Sequence, residues 1–129
     1  MFINPELNCI RLGQWSEQVA VEYLQKTLGW QILQRNWRCP VGELDIIAMQ
    51  DECTVIVEVR SRHSDLAGVP MEVVGHRKVV QLRRVVRYWL SRFSTSSDIP
   101  DLRLDVIILR WQHKQVAEIL HIRGALGWD

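Results

Sequence analysis

No stretch of this chain approaches the roughly 18 consecutive apolar residues that a membrane-spanning helix needs, so no membrane partner is expected. The opening "MFINPELNCIRLG" has no apolar signal-peptide core. The expectation is a soluble protein that stays in the cytoplasm. Cysteine is scarce. Cys9, Cys39 and Cys53 make an odd number with no CxxC spacing, which argues against a disulfide framework. Neither these thiols nor the four histidines show chelating spacing, so a zinc site is not indicated and the thiols read as buried or half-buried. Net charge is also small, at +1, so global electrostatics do not mark a nucleic-acid binder. Repeats and low-complexity tracts are missing. One absence is local and informative. From His76 to Ser97 there is no Asp or Glu, but there are Arg77, Lys78, Arg83, Arg84, Arg87 and Arg92.

What remains is a chain of 129 residues, 47% hydrophobic, long enough to form one domain over residues 1–129 with a real core. A first helix is expected over residues 8–28, with Ala20, Val21, Leu24 and Leu28 on one stripe and Gly29 ending it. Strands follow over 30–38, 43–49 and 53–60, the last two joined as a hairpin through "QDE". The stretch 61–70 reads as a loop. A second helix covers 71–93, its stripe formed by Leu82, Val85, Val86, Trp89, Leu90 and Phe93. After a polar linker over 94–101, strands are expected over 102–111 and 115–122. The order α-β-β-β-α-β-β is that of an α/β domain, a mixed central sheet flanked by helices.

Charges that interrupt this apolar pattern are the candidates for function. In "VIVEVRSR" (55–62), Val55, Val57 and Val59 share one face, while Ile56, Glu58 and Arg60 take the other. On the first helix, Glu17 falls beside Val21, Leu24 and Leu28, whereas Glu22 and Lys26 point outward. An unpaired buried carboxylate is strongly destabilising. Glu17 must therefore sit at the stripe's edge, be paired, or face a polar cavity. Asp45 in "GELDIIA" shares a face with Glu43 and Ile47, and one hairpin register brings Asp45 and Glu58 onto the same face. Two carboxylates about 5 Å apart repel by roughly 3 kcal/mol at an effective dielectric of 20. Such a pair needs a cation. Arg60 and Lys78, which is one turn before Leu82 on the inward stripe, are internal choices and would make the cluster structural. A divalent ion is the other choice. Mg²⁺ takes oxygen ligands, commonly one or two carboxylates with waters and substrate phosphate. Glu17, Asp45 and Glu58 around such an ion suit phosphodiester hydrolysis, with the neighbouring cation offsetting the growing phosphorane charge.

The segment "GQWSEQVAVEYLQKTLGWQILQRNWRCPVGELDIIAMQDECTVIVEVRSR" carries G-x-x-x-E, N-W-R, G-E-x-D-x-I-A and V-E-V-[KR]-x-R in that order. In this it resembles the YraN-like family, whose fold is that of the PD-(D/E)xK restriction endonucleases. The resemblance continues through "GVPMEVVGHRKVVQLRRVVRYWL", "LRLDVIIL" and "ILHIRGAL", from about Arg11 to Leu126. It implies a restriction-endonuclease-like fold, with Glu17 as the helix-borne acid, Asp45 as the metal-binding aspartate and Glu58 as the acid of the third motif. Where this sequence has Arg60, the family usually has lysine. Arginine stays charged and presents a flat fork, so it can stabilise an anion but makes a poor general base. More distantly, the order of acids resembles archaeal Holliday-junction resolvases. That analogy implies branched or structured DNA as substrate and a homodimer supplying two sites.

The expectation is thus a nuclease-fold protein that binds DNA and cleaves it with Mg²⁺ or Mn²⁺, through Glu17, Asp45, Glu58 and Arg60. The alternatives are a nucleic-acid-binding module that lost its chemistry with the lysine, or a protein-interaction domain with an architectural charge cluster. Arg62, His63 and Lys78 are the candidate nucleic-acid contacts nearest the acids. Arg77, Arg83, Arg84 and Arg87 read either as a solvated helix face or as backbone contacts. Arg35 and Arg38 are further candidates. Trp30, Trp37, Trp89 and Trp111 read as core or edge aromatics, Asp105 as a structural partner of Arg103 or another cation, and His113 and His121 as surface or sheet residues. Glu43 reads as a supporting or contributing group at the site. Ser16 and Ser61 have no evident base beside them.

Overall fold

The computed structural model describes residues 9–63, 75–93, 100–113 and 115–125, with backbone alone for 9–12 and His63. Five strands form one sheet in their order along the chain: β1 (Gln31–Cys39), β2 (Gly42–Gln50), β3 (Cys53–His63), β4 (Asp101–Gln112) and β5 (Gln115–Ile122). Neighbours are antiparallel except for the central pair β3 and β4. A parallel neighbour needs a long connection, and the helix α2 (His76–Leu90) lies between these two strands in the chain. Helix α1 (Cys9–Glu22) precedes the sheet. The expected mixed α/β order is therefore the observed one.

The period-2 pattern of the strands divides the core into two layers. Val55 and Val57 of β3 join Ile46, Ala48, Ile107, Leu109 and Trp111 against Ala20, Val21 and Leu24 of the first helix. Ile56, between those valines, turns to the other layer with Leu44, Ile47 and Leu104, against Leu82, Val85, Val86 and Trp89 of α2. β4 is buried continuously from Leu104 to Leu109, as a strand covered on both faces must be. Of the expected helix stripes, Ala20, Val21, Leu24, Leu82, Val85, Val86 and Trp89 are buried and Leu28, Leu90 and Phe93 half-buried; of the other tryptophans read as core or edge, Trp30 and Trp111 are buried and Trp37 half-buried. Cys39 and Cys53 are free and half-buried.

Two elements differ from expectation. The last turn of the first helix, Tyr23–Thr27, is π-helical, closed by Leu28 N–H to the Tyr23 carbonyl at 3.2 Å. Gly29 (φ 73°) then reverses the chain, and Trp30 N–H returns to the Leu24 carbonyl at 2.9 Å. β3 extends through His63 because it pairs along its whole length with β4, a partner that no local signal in "SRH" announces. Of the expected second helix, residues 71–74 lie outside the described residues, as do 94–99 of the linker. At the β1–β2 turn, Gly42 (φ 149°) lies against α2. A Cβ there would meet Val85 Cγ2 at 2.8 Å and Gln81 Nε2 at 3.2 Å, so only glycine lets the turn approach this closely.

Candidate functional site

The β2–β3 ladder pairs Gln50 with Cys53 and continues to Ile46 opposite Val57. One step further along that register sets Asp45 opposite Glu58. There the ladder stops. Val59 N–H donates to Asp45 Oδ2 at 2.9 Å, so a side chain takes over where a strand carbonyl would serve. Beside this parting of the strands is a cleft of about 650 Å³. Gly13, Ser16 and Glu17 of α1 line it from one side, and Asp45 with Glu58, Val59, Arg60 and Ser61 from the other.

Glu58 is only 5% exposed. Burial first, then the neighbouring Asp45 charge, raises its pKa to about 7. Burial also raises Asp45, against the opposing pull of the Val59 N–H, a hydrogen bond from Glu58 and the Lys78 charge. Side by side and desolvated, the two carboxylates resist ionising together. Lys78, from α2, sets its Nζ 3.4 Å from Glu58 Oε1. Glu17 is half-buried across the cleft, raised to about 7 by burial, then by the charges of Asp45 and Glu43, with Arg35 and a hydrogen bond to Asn36 opposing. Asn36 holds a left-handed φ of 51° between the pairs Arg35–Ile46 and Trp37–Leu44, which sets it opposite Asp45.

These shifts fix a pH dependence. Glu17 and Glu58 have folded pKa values above the ordinary carboxylate range, so their favourable contribution is complete below about 4.5 and is lost as pH rises through about 7. In metal-free buffer, unfolding free energy is expected to fall by a few kcal/mol between those limits, mainly through the buried Glu58. Urea midpoints measured across that range check this; a flat profile, or a rise with pH, would refute it.

Each expected site residue can now be located. Glu17, Asp45, Glu58 and Arg60 all line the cleft. Lys78 stands as the internal counter-ion of Glu58. Arg62 is half-buried further along β3 and has a partner of its own. The side chain of His63 lies outside the described residues. Glu43 pairs with Arg38 at 3.2 Å on an exposed edge, and Arg35 donates to Gln18 at 2.9 Å. Two residues of the cleft floor were not foreseen as a pair. Ser61 Oγ donates to Ser16 Oγ, which also accepts from Trp111 Nε1 at 3.2 Å. Forty-five residues separate the serines, so no local pattern could have joined them.

The donor set of Asp45 and Glu58 is chemically suited to a hard divalent ion, which would offset the repulsion between the two carboxylates. Among the described residues, no three His, Cys, Asp or Glu side chains are arranged to ligate one ion together. The chain therefore offers two adjacent carboxylates, with Glu17 facing them rather than completing a three-ligand group.

The second buried charge centre lies elsewhere. Asp105, 1% exposed, accepts from Arg103 at 2.8 and 3.0 Å, from His121 Nε2 at 2.8 Å and from Gly124 N–H at 2.9 Å. Burial would raise it, but these donors hold it down at about 2. This is the structural role expected of Asp105. His121, read as a surface or sheet residue, lies in β5 and is tied on both ring nitrogens, since Tyr23 Oη lies 3.1 Å from Nδ1.

A mixed α/β sheet whose acidic cleft sits beside the parting of two strands defines the class of this protein. The chain belongs to the family described as "Uncharacterised protein family UPF0102", whose model matches residues 16–109. A UPF0102 protein of Mycolicibacterium vanbaalenii is 40% identical over 113 residues, 88% of this chain and 91% of that one. One of Moorella thermoacetica is 41% identical over 117 residues, 89% and 94% of the two chains. Among solved structures, Pyrococcus furiosus SfsA in complex with Ca²⁺ is similar with a TM-score of 0.46 and 16% identity. The match covers 89% of this chain and spans 64% of that one, under two thirds of its length.

Proposed function

We propose that this protein binds DNA and hydrolyses phosphodiester bonds in the cleft, with Mg²⁺ or Mn²⁺ held by Asp45 and Glu58. The observation that carries the reading is the pair itself: a buried Glu58 and a half-buried Asp45 in register on adjacent strands, open to a polar cleft that Glu17 and Arg60 share. When bound, the ion supplies Lewis acidity toward the phosphoryl oxygen and a nucleophilic water at neutral pH. The chain's own groups do the rest. Arg60 offsets negative charge on the pentavalent phosphorus. Glu17, with its pKa of about 7, takes the proton of the attacking water as the P–O bond to the leaving oxygen breaks. Branched or structured DNA as substrate and a homodimer supplying two sites belong to the same proposal, by analogy with archaeal Holliday-junction resolvases.

A second reading, a nucleic-acid-binding module without turnover, draws support from Arg60, which cannot act as lysine does, and from Lys78, which already neutralises Glu58. Titration with Mg²⁺ or Mn²⁺ tests the metal site. Saturating metal is expected to raise Tm by several degrees, about 2.7 kcal/mol at one hundred times Kd, and Asp45→Ala to abolish the rise. A wild-type Tm indifferent to both ions would refute the metal site. Cleavage of linear, flapped and four-way DNA in Mn²⁺ separates the nuclease from the module.

A further inference from the structure

On the outer side of α2, away from the acids, lies a second pocket of about 420 Å³, lined by Val41, Arg84, Arg87, Tyr88 and Ser91. Arg77, Arg84 and Arg87 are exposed, and so is Tyr88, at 46%. Among the described residues none of these three guanidiniums forms an ion pair. The helix has no carboxylate to offer them. A face that is merely solvated usually mixes both signs of charge. This one carries a single sign, and between its charges it sets an aromatic ring beside a concavity. Guanidiniums complement phosphates, and a tyrosine ring complements the face of a base.

Position supports the same occupant. Arg77, Arg84, Tyr88 and Ser91 fall on one stripe, and eleven residues from Arg77 to Tyr88 span about 16 Å of helix. Val41 precedes Asp45 by four residues, at most about 13 Å of strand. That is the length of about four stacked nucleotides. The close approach of Gly42 to Gln81 and Val85 fixes the pocket's two walls, the β1–β2 turn and α2, against each other.

We propose that this pocket seats a single-stranded segment of nucleic acid, one base stacked on Tyr88 and the adjoining phosphates on Arg84 and Arg87. Arg77 continues the track toward the end of α2 that holds Lys78 against Glu58. The inference deepens the proposed function and rests on it for what the cleft does to the strand, but not for the strand's binding.

Fluorescence anisotropy of the full chain with a labelled single-stranded DNA 20-mer and its duplex, in low salt without divalent ions, tests this. Arg84→Glu with Arg87→Glu is expected to weaken single-strand binding at least tenfold. The slope of log affinity against log salt should fall by about 1.4, or 0.7 for each of two lost phosphate contacts. Tyr88→Ala should weaken it about 5- to 100-fold with the slope unchanged, and the duplex much less. Lys26→Glu, on the helix across the sheet, should do little. The proposal is overturned if the wild type does not bind the strand, or if the pocket variants bind as it does. It is also overturned if the arginine pair lowers single strand, duplex and heparin binding alike while Tyr88→Ala changes nothing, or if anionic vesicles are preferred to the strand. The metal-induced Tm rise keeps the two readings apart. It should survive the pocket variants, and its failure in the wild type would remove the cleft chemistry while leaving the strand seat standing.

Discussion

Replacing Asp105 with alanine is expected to lower the unfolding free energy by about 3–5 kcal/mol, the range for breaking a buried charge pair from one side. For a chain of this length that corresponds to a fall in Tm of roughly 10–20 °C. The size follows from what the carboxylate holds. Without it, Arg103, the His121 ring and the Gly124 N–H lose their acceptor together, and the His121 side chain is only 6% exposed. Arg103 also lies over the Trp30 ring at 5.4 Å, so its release disturbs the start of β1. Asp105→Asn keeps the volume and tests the charge separately; it should lose less, because an amide can still accept from one donor. Thermal and urea unfolding measure both variants. A loss below about 1 kcal/mol for the alanine variant would mean that water replaces the carboxylate, and the clamp would have to be abandoned.

Arg60→Lys carries the largest expected change in activity. If the cleft is a nuclease site weakened at this position, the substitution should raise Mn²⁺-dependent cleavage by about 10²-fold or more, the scale of a positioned acid–base group. Lysine brings a compact ammonium that desolvation can neutralise, whereas arginine remains charged. The lysine variant should keep the wild-type melting temperature within a few degrees, because Arg60 makes no ion pair among the described residues. Unchanged or lower cleavage would show that Arg60 is not what limits turnover, and would favour the module reading if neither protein cuts.

Much of this molecule was legible in its sequence, for identifiable reasons. Helical and strand periods report one-dimensional patterning, so the stripes of Leu82 to Trp89 and the alternation of Val55 and Val57 gave both core layers. The same periods exposed Glu17, Asp45 and Glu58 as charges out of place, and the hairpin register through Asp51 and Glu52 set two of them opposite each other. What escaped depended on partners remote in the chain. The extension of β3 came from pairing with β4, the Ser16–Ser61 floor from contact between a helix and a strand, and the His121 clamp from three separate elements. Lys78 stood between two readings because its inward angle was evident but its distance from Glu58 was not.

The π-helical turn at Tyr23–Thr27 adds one residue to a helix whose far end is already pinned, through Tyr23 and His121, to the edge of the sheet. A helix advances about 100° for each residue. The surplus residue therefore falls between Glu17 and the reversal at Gly29, and shifts the phase of the helix that carries Glu17 relative to the chain entering β1. The helix works as a dial, read at the cleft and locked at the opposite end by a tyrosine.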